Sequence, residues 1–248
     1  MTDDRLLAVL NEAATAVHAA LEALDDWGPA GTRAGQYFSD LAADEVAVTI
    51  LVDAGLGVLS EETGLHHPDR EVVVALDPVD GSTNASRRLP WYATSLAAVD
   101  DAGVRAAVVV NQATGDRYEA VRGSGATGNG RPLGTTGCTT MADAIVGLNG
   151  WPSAYLGWRQ FRALGAAALD LCAVGAGQLD AYIDCSVHFH APWDYLGGLL
   201  VCREAGGFVA EAGGRELVTL GLDDRRTPVA AATEKLLVEA LEARAGLC

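Results

Sequence analysis

Glu71-Val72-Val73-Val74-Ala75-Leu76 is a short β-branched run that ends at once in Asp77-Pro78. A run of this kind, with no polar alternation, reads as a buried strand, and a buried strand needs a layered fold around it. The chain before it has a different period. Leu6, Leu10, Ala14, Val17, Leu21 and Leu24 recur at steps of three and four, so residues 3–25 read as an amphipathic helix capped by Thr2 or Asp3. A Gly-rich connection over 28–36 leads to a second helix from Ser39 to Ala54, which Gly55 stops.

Further strands are expected at 57–60, 92–99, 104–110 and 116–121, with Ala113-Thr114-Gly115-Asp116 as a hairpin turn. The Gly-rich stretch 123–134, with Asn129-Gly130, reads as another turn, since it lacks the Gly-Lys-Ser/Thr ending of a phosphate loop. Beyond it, strands at 141–148, 179–184, 207–210 and 228–232 alternate with helices at 163–175, 194–205 and 234–243. Antiparallel strands mixed with helices in the first half and alternation in the second indicate an α+β chain, with lobes of about 1–140 and 141–248 in one domain.

With 248 residues, half of them hydrophobic, the chain can bury a large core. No apolar run reaches the roughly 18–20 residues of a membrane helix. The acidic start, Met1-Thr2-Asp3-Asp4, lacks the regions of a signal peptide, so a soluble cytoplasmic protein is expected. The five cysteines are widely separated and form no CxxC pair, which suits reduced, mostly buried thiols. A formal net charge of −16 repels nucleic acid and anionic lipid, so neither is an expected partner.

Carboxylates cluster where strands end. Glu61 and Glu62 follow Leu59-Ser60, and Asp77 follows the run 71–76, so both sets emerge at strand ends. Asp77 and Asp80, with Pro78 fixing the turn between them, can bring two carboxylates and a carbonyl round one hard cation. Oxygen-only ligands favour magnesium over zinc. Gly81-Ser82-Thr83-Asn84 then supplies a flexible backbone and two hydroxyls, suited to a turn whose N–H groups face an anion. Alone, the octapeptide Asp77–Asn84 reads equally as an ordinary surface turn.

That octapeptide, Asp77-Pro78-Val79-Asp80-Gly81-Ser82-Thr83-Asn84, resembles the metal-binding signature of the inositol monophosphatase family, which shares a superfamily with fructose-1,6-bisphosphatases. The Glu61-Glu62 pair matches the same family. Trp193-Asp194-Tyr195-Leu196-Gly197-Gly198, continuing to Glu204-Ala205-Gly206-Gly207, is similar to its C-terminal motif. The resemblance runs from about Asp40 to the C-terminus and implies a layered α-β-α-β-α sandwich of the sugar phosphatase type.

It further implies that Glu61, Asp77 and the Val79 carbonyl hold one magnesium and that Asp77, Asp80 and Asp194 hold a second, with Asp77 as the bridge. Glu61 and the Ser82 hydroxyl would take or relay the proton of an attacking water, and the Gly81 and Ser82 N–H groups would hold the phosphate. Ser82 stands where the family usually has threonine. Asp40, one turn before Asp44, could support a third magnesium, or both could lie on a solvated helix face. A basic residue that many relatives carry just before this segment is replaced by Gln36 and Tyr37. Asp184 resembles an acid that contacts substrate hydroxyls.

The implied activity is magnesium-dependent hydrolysis of an inositol phosphate or similar sugar or polyol phosphate. Alternatives are histidinol-phosphate phosphatase, fructose-1,6-bisphosphatase, adenosine 3',5'-bisphosphate nucleotidase or, in a different class, a regulatory partner-binding protein. Few basic residues near 162–168 and 184–192 argue against a second substrate phosphate. Family members are usually homodimers. His188 and His190 beside Cys185 lack a fourth zinc ligand and read as loop histidines, as do His66 and His67.

Overall fold

The computed structural model of the chain describes residues 1–33, 35–186 and 189–247. His188 and Cys248 lie outside the described residues. The chain opens with α1 (Asp3–Glu22) and α2 (Phe38–Asp53), followed by β1 (Gly57–Ser60), β2 (Gly64–His66) and β3 (Val73–Asp80). A short α3 (Ser82–Ser86) leads to β4 (Ala93–Asp100), β5 (Gly103–Asn111), β6 (Arg117–Val121), β7 (Ala126–Gly128) and β8 (Arg131–Pro132). The remainder runs β9 (Ile145–Asn149), β10 (Gln160–Arg162), α4 (Ala167–Gly175), β11 (Ala181–Asp184), α5 (Pro192–Glu204), β12 (Phe208–Glu211), β13 (Pro228–Ala231) and α6 (Glu234–Ala245).

The first eight strands form one sheet in the order β2-β1-β3-β4-β5-β6-β7-β8, and the last five form a second, β10-β9-β11-β13-β12. Side chains alternate across β3. Val73 and Ala75 join the core under α4 and α5, whereas Val74 and Leu76 join the core under α1 and α2. The α4–α5 pair also meets Tyr182 and Ala230 of the second sheet, whose other face packs on α6 through Ile183, Val229 and Leu236. The layers are therefore helix, sheet, helix, sheet, helix, as the resemblance implies. Both faces of each sheet are covered, which explains why β3 is apolar without alternation.

Several elements differ from their sequence expectation for local reasons. The helix expected over 163–175 begins only at Ala167, because Gly165 adopts φ +87° and interrupts it. The strand expected from 141 starts at Ile145, behind a 3₁₀ turn at Met141–Asp143. The stretch 123–134 is a small hairpin, β7 to β8, turning at Asn129-Gly130 with both residues at positive φ. His66 is not a bare loop residue. It lies in β2 and its Nε2 is 2.8 Å from the Thr63 hydroxyl. Cys172 and Cys202 are buried as expected, but Cys138 and Cys185 are only half-buried. No helix among the described residues is long and apolar enough to cross a membrane.

Candidate active site

The turn after β3 is built by its own sequence. Pro78 has no N–H for the ladder, and the register between β3 and β4 slips between Asp77 and Asp80, so residues 78–79 bulge out opposite Thr94. The Asp77 Oδ1 accepts the Val79 N–H at 3.0 Å, and Thr94 Oγ1 donates to the Pro78 carbonyl at 2.9 Å. Gly81 follows at φ +85° and starts α3. Asn84 then donates from Nδ2 to the carbonyls of Trp91 (2.8 Å) and Leu164 (2.7 Å), pinning α3 to the segment that precedes α4.

A cavity of about 240 Å³ opens here, lined by Glu61, Asp77, Val79, Asp80, Gly81, Ser82, Asp194 and neighbours that include Asn149, Phe189 and His190. Glu61, Asp77 and Asp194 each offer a carboxylate oxygen, and these oxygens lie within 4.8 Å of one another. Residues from three separate parts of the sequence thus meet at one point. The N-termini of three helices are turned to the acids. Asp80 Oδ2 accepts the Ala168 N–H of α4 at 2.7 Å, Asp194 Oδ2 accepts the Ala191 N–H ahead of α5 at 2.9 Å, and Asp40 Oδ2 accepts the Tyr37 N–H ahead of α2 at 2.8 Å.

The electrostatics of this arrangement are unfavourable without a cation. Burial, then Asp194, Glu62 and Asp40, push Glu61 up to about 8. Asp77 is raised well above the usual carboxylate range by burial and by Glu61, and Asp80 likewise by burial and Asp194. Burial, with Glu62 opposed by Arg33, takes Asp40 to about 7. Packed carboxylates that resist ionising are a poor structural device and a good cation cage. Every donor is oxygen, so the set fits magnesium and not a soft metal.

A model of the Inositol monophosphatase family matches residues 40–245. The chain belongs to the inositol monophosphatase family. It is 33% identical over 208 residues to an inositol-1-monophosphatase of Mesorhizobium japonicum, covering 75% of this chain and 77% of that protein. It is also 33% identical over 181 residues to the Nus factor SuhB of Escherichia coli, covering 66% of each. Among solved structures, the extragenic suppressor protein suhB of Bartonella henselae superposes with a TM-score of 0.82 at 26% identity, covering 97% of this chain and 98% of that one.

The family signatures converge, but five positions differ from their sequence expectation. Glu62 does not join Glu61 at the cavity. Its carboxylate takes two bonds of 3.0 Å from Arg33 Nη2 and a short one from Gln36. Arg33 thus brings a positive charge beside the acids from outside the motif, three residues before Gln36, and nothing local in the sequence marks it. Asp40 and Asp44 are not on a solvated face. Both are buried, and Asp44 is held by the hydroxyls of Ser60 and Thr63.

Asp184 is fully buried and does not line the cavity. Its Oδ1 accepts from Asn149 Nδ2 and the Ser186 N–H, both at 2.9 Å, and Asn149 is the residue on the cavity wall. Asn149 has no motif around it, so only the pairing of β9 with β11, which sets it opposite Asp184, reveals it. His190 lines the same wall and is buried, unlike a loop histidine.

Proposed function

We propose that this protein is a magnesium-dependent phosphomonoesterase acting on a small phosphate ester whose leaving group is an inositol, sugar or similar polyol. The observation that carries this is the meeting of the Glu61, Asp77 and Asp194 oxygens in one cavity that Gly81 and Ser82 also line. Glu61, Asp77 and the Val79 carbonyl would hold one magnesium, and Asp77, Asp80 and Asp194 a second. When bound, magnesium supplies charge neutralisation at the phosphoryl oxygens and raises the acidity of a water. Asp40, which does not line the cavity, would support a third ion through water.

The chain's own groups complete the chemistry. Glu61, whose carboxylate is crowded by other acids, is the proton acceptor, and the half-buried Ser82 hydroxyl relays the proton. The N–H groups of Gly81 and Ser82 hold the phosphate. Asp184 acts on substrate hydroxyls through Asn149, whose amide it orients. The wall formed by Asn149, Gly165, Ala167, Phe189 and His190 has no lysine or arginine, which favours a substrate with one phosphate over a bisphosphate. The protein would work in the cytoplasm as a homodimer.

The test is phosphate release from a panel of sugar, polyol and amino-alcohol phosphates, with magnesium and with chelator. No release from any ester by metal-loaded protein rejects the proposal. The likeness to the Nus factor SuhB favours a second reading, a partner-binding role on the same fold. Asp77→Asn separates the two, because a cellular phenotype that survives this substitution belongs to binding.

A further inference from the structure

His190 is held by both ring nitrogens. Nδ1 lies 3.2 Å from Asp194 Oδ2, and Nε2 lies 2.9 Å from the hydroxyl of Tyr182, a fully buried residue of β11. Asp184 Oδ2 stands 3.7 Å from the same Nε2 and has no hydrogen-bond partner among the described residues. His190 as a whole is 4% exposed and closes one side of the cavity.

The consequence falls on Asp194. Its Oδ2 receives two donors, the Ala191 N–H at 2.9 Å and His190, whereas Oδ1 receives none among the described residues. A carboxylate oxygen accepts, so His190 Nδ1 carries the hydrogen in this contact, and Nε2 faces the Tyr182 hydroxyl and the Asp184 carboxylate. One backbone N–H alone leaves a carboxylate free to pivot, because the terminal torsion of aspartate is broad. A second donor at a different angle removes that freedom.

We propose that His190 is a positioning residue that fixes Asp194 so that Oδ1 is the oxygen offered to the cation, with Tyr182 and Asp184 fixing the ring from the opposite side. This rests on the proposed role of Asp194 as a metal ligand. Outer partners of this kind typically change metal affinity about 10–100-fold when lost.

Two near-isosteric substitutions divide the histidine's bonds. The amide nitrogen of His190→Asn falls near Nδ1 and keeps the Asp194 bond while losing Tyr182. That of His190→Gln falls near Nε2 and does the reverse. Each removes one hydrogen bond from the same buried position, so a purely structural role moves both variants alike. Binding is read by calorimetric titration of magnesium, and by the spin-resonance signal of free manganese, on the metal-free full-length chain. His190→Gln is expected to weaken binding by about 10–100-fold, and His190→Asn by no more than a few-fold.

Equal weakening in both variants, or none in His190→Gln, overturns the proposal. Asp194→Asn is the reference. If it binds metal as the wild type does, the ligand role of Asp194 has failed, and the proposal falls with it for that separate reason. Should His190→Gln not fold, His190→Leu, which also removes the bond to Asp194, carries the same test. Weaker metal binding supports the proposal, and wild-type binding overturns it.

Discussion

The Asp80 carboxylate accepts the Ala168 amide at 2.7 Å, so an acid at the end of β3 caps the first turn of a helix lying between the two sheets. The bond joins the two halves of the cavity, but it does not offset the cost of the charge. Asp80 remains well above the usual carboxylate range, with burial and Asp194 outweighing the Ala168 bond. Asp80→Asn keeps an acceptor for Ala168 and removes the charge. The chelated variant should melt higher than chelated wild type by about 2–4 °C, the response to roughly 1 kcal/mol at this length. Phosphate release should fall by at least about 10²-fold, as when a group that stabilises transition-state charge is lost. Calorimetric melts in chelator and an ester assay in magnesium check the two halves.

The same crowding sets a pH dependence. Glu61 is raised from an ordinary 4.5 to about 8, and Asp40 from 3.8 to about 7. A carboxyl raised on folding binds its proton more tightly in the native state, so its contribution is fully present below the unfolded value and is lost as pH rises through the folded one. Metal-free protein should therefore lose melting temperature steadily from about pH 5 to pH 8. Magnesium, which takes the place of those protons, should stabilise more at pH 8 than at pH 6. A stabilisation by magnesium that is equal at the two values would show that these carboxylates do not hold it.

Gly81 has a steric reason to be glycine. Its φ is +85°, and an added Cβ would meet the carbonyl oxygens of Gly165 and Trp91 at 3.1 Å and the Ala166 Cβ at 3.2 Å. Two of those neighbours are backbone and cannot swing aside. Gly81→Ala should cost about 1–3 kcal/mol from strain and contact together, read as a lower urea midpoint. Because Ser82 follows directly, activity should fall by more than the loss of folded protein explains.

The acids that converge were legible because each sits where a strand or motif ends. Asp77, Asp80 and Asp194 lie next to Pro, Gly or Trp, whose backbone and bulk requirements mark the place in sequence. The layers were legible from period, since β3 is apolar on both faces and α1 on one. What escaped depends on pairing over long distance. Arg33 reaches Glu62 across 29 positions, and Asn149 reaches Asp184 across 35, from segments with no pattern of their own. Short edge strands such as β10, with three exposed residues, also carry no period to read.

Asn149 offers a way to separate the leaving group from the phosphate. Its Nδ2 is bound to Asp184 Oδ1 at 2.9 Å, so the amide is oriented, and its carbonyl oxygen, with no partner among the described residues, can accept from a hydroxyl in the cavity. The phosphate site proposed at Gly81 and Ser82 is on other elements and does not depend on it. Asn149→Ala should therefore leave hydrolysis of an aryl phosphate, which has no hydroxyls, within about twofold. The same change should lower kcat/KM for a polyol phosphate by about tenfold, the loss of one hydrogen bond of roughly 1.4 kcal/mol. Measuring both esters on one preparation cancels any change in folded fraction. Equal losses on the two substrates would mean that Asn149 supports the site as a whole and does not read the leaving group.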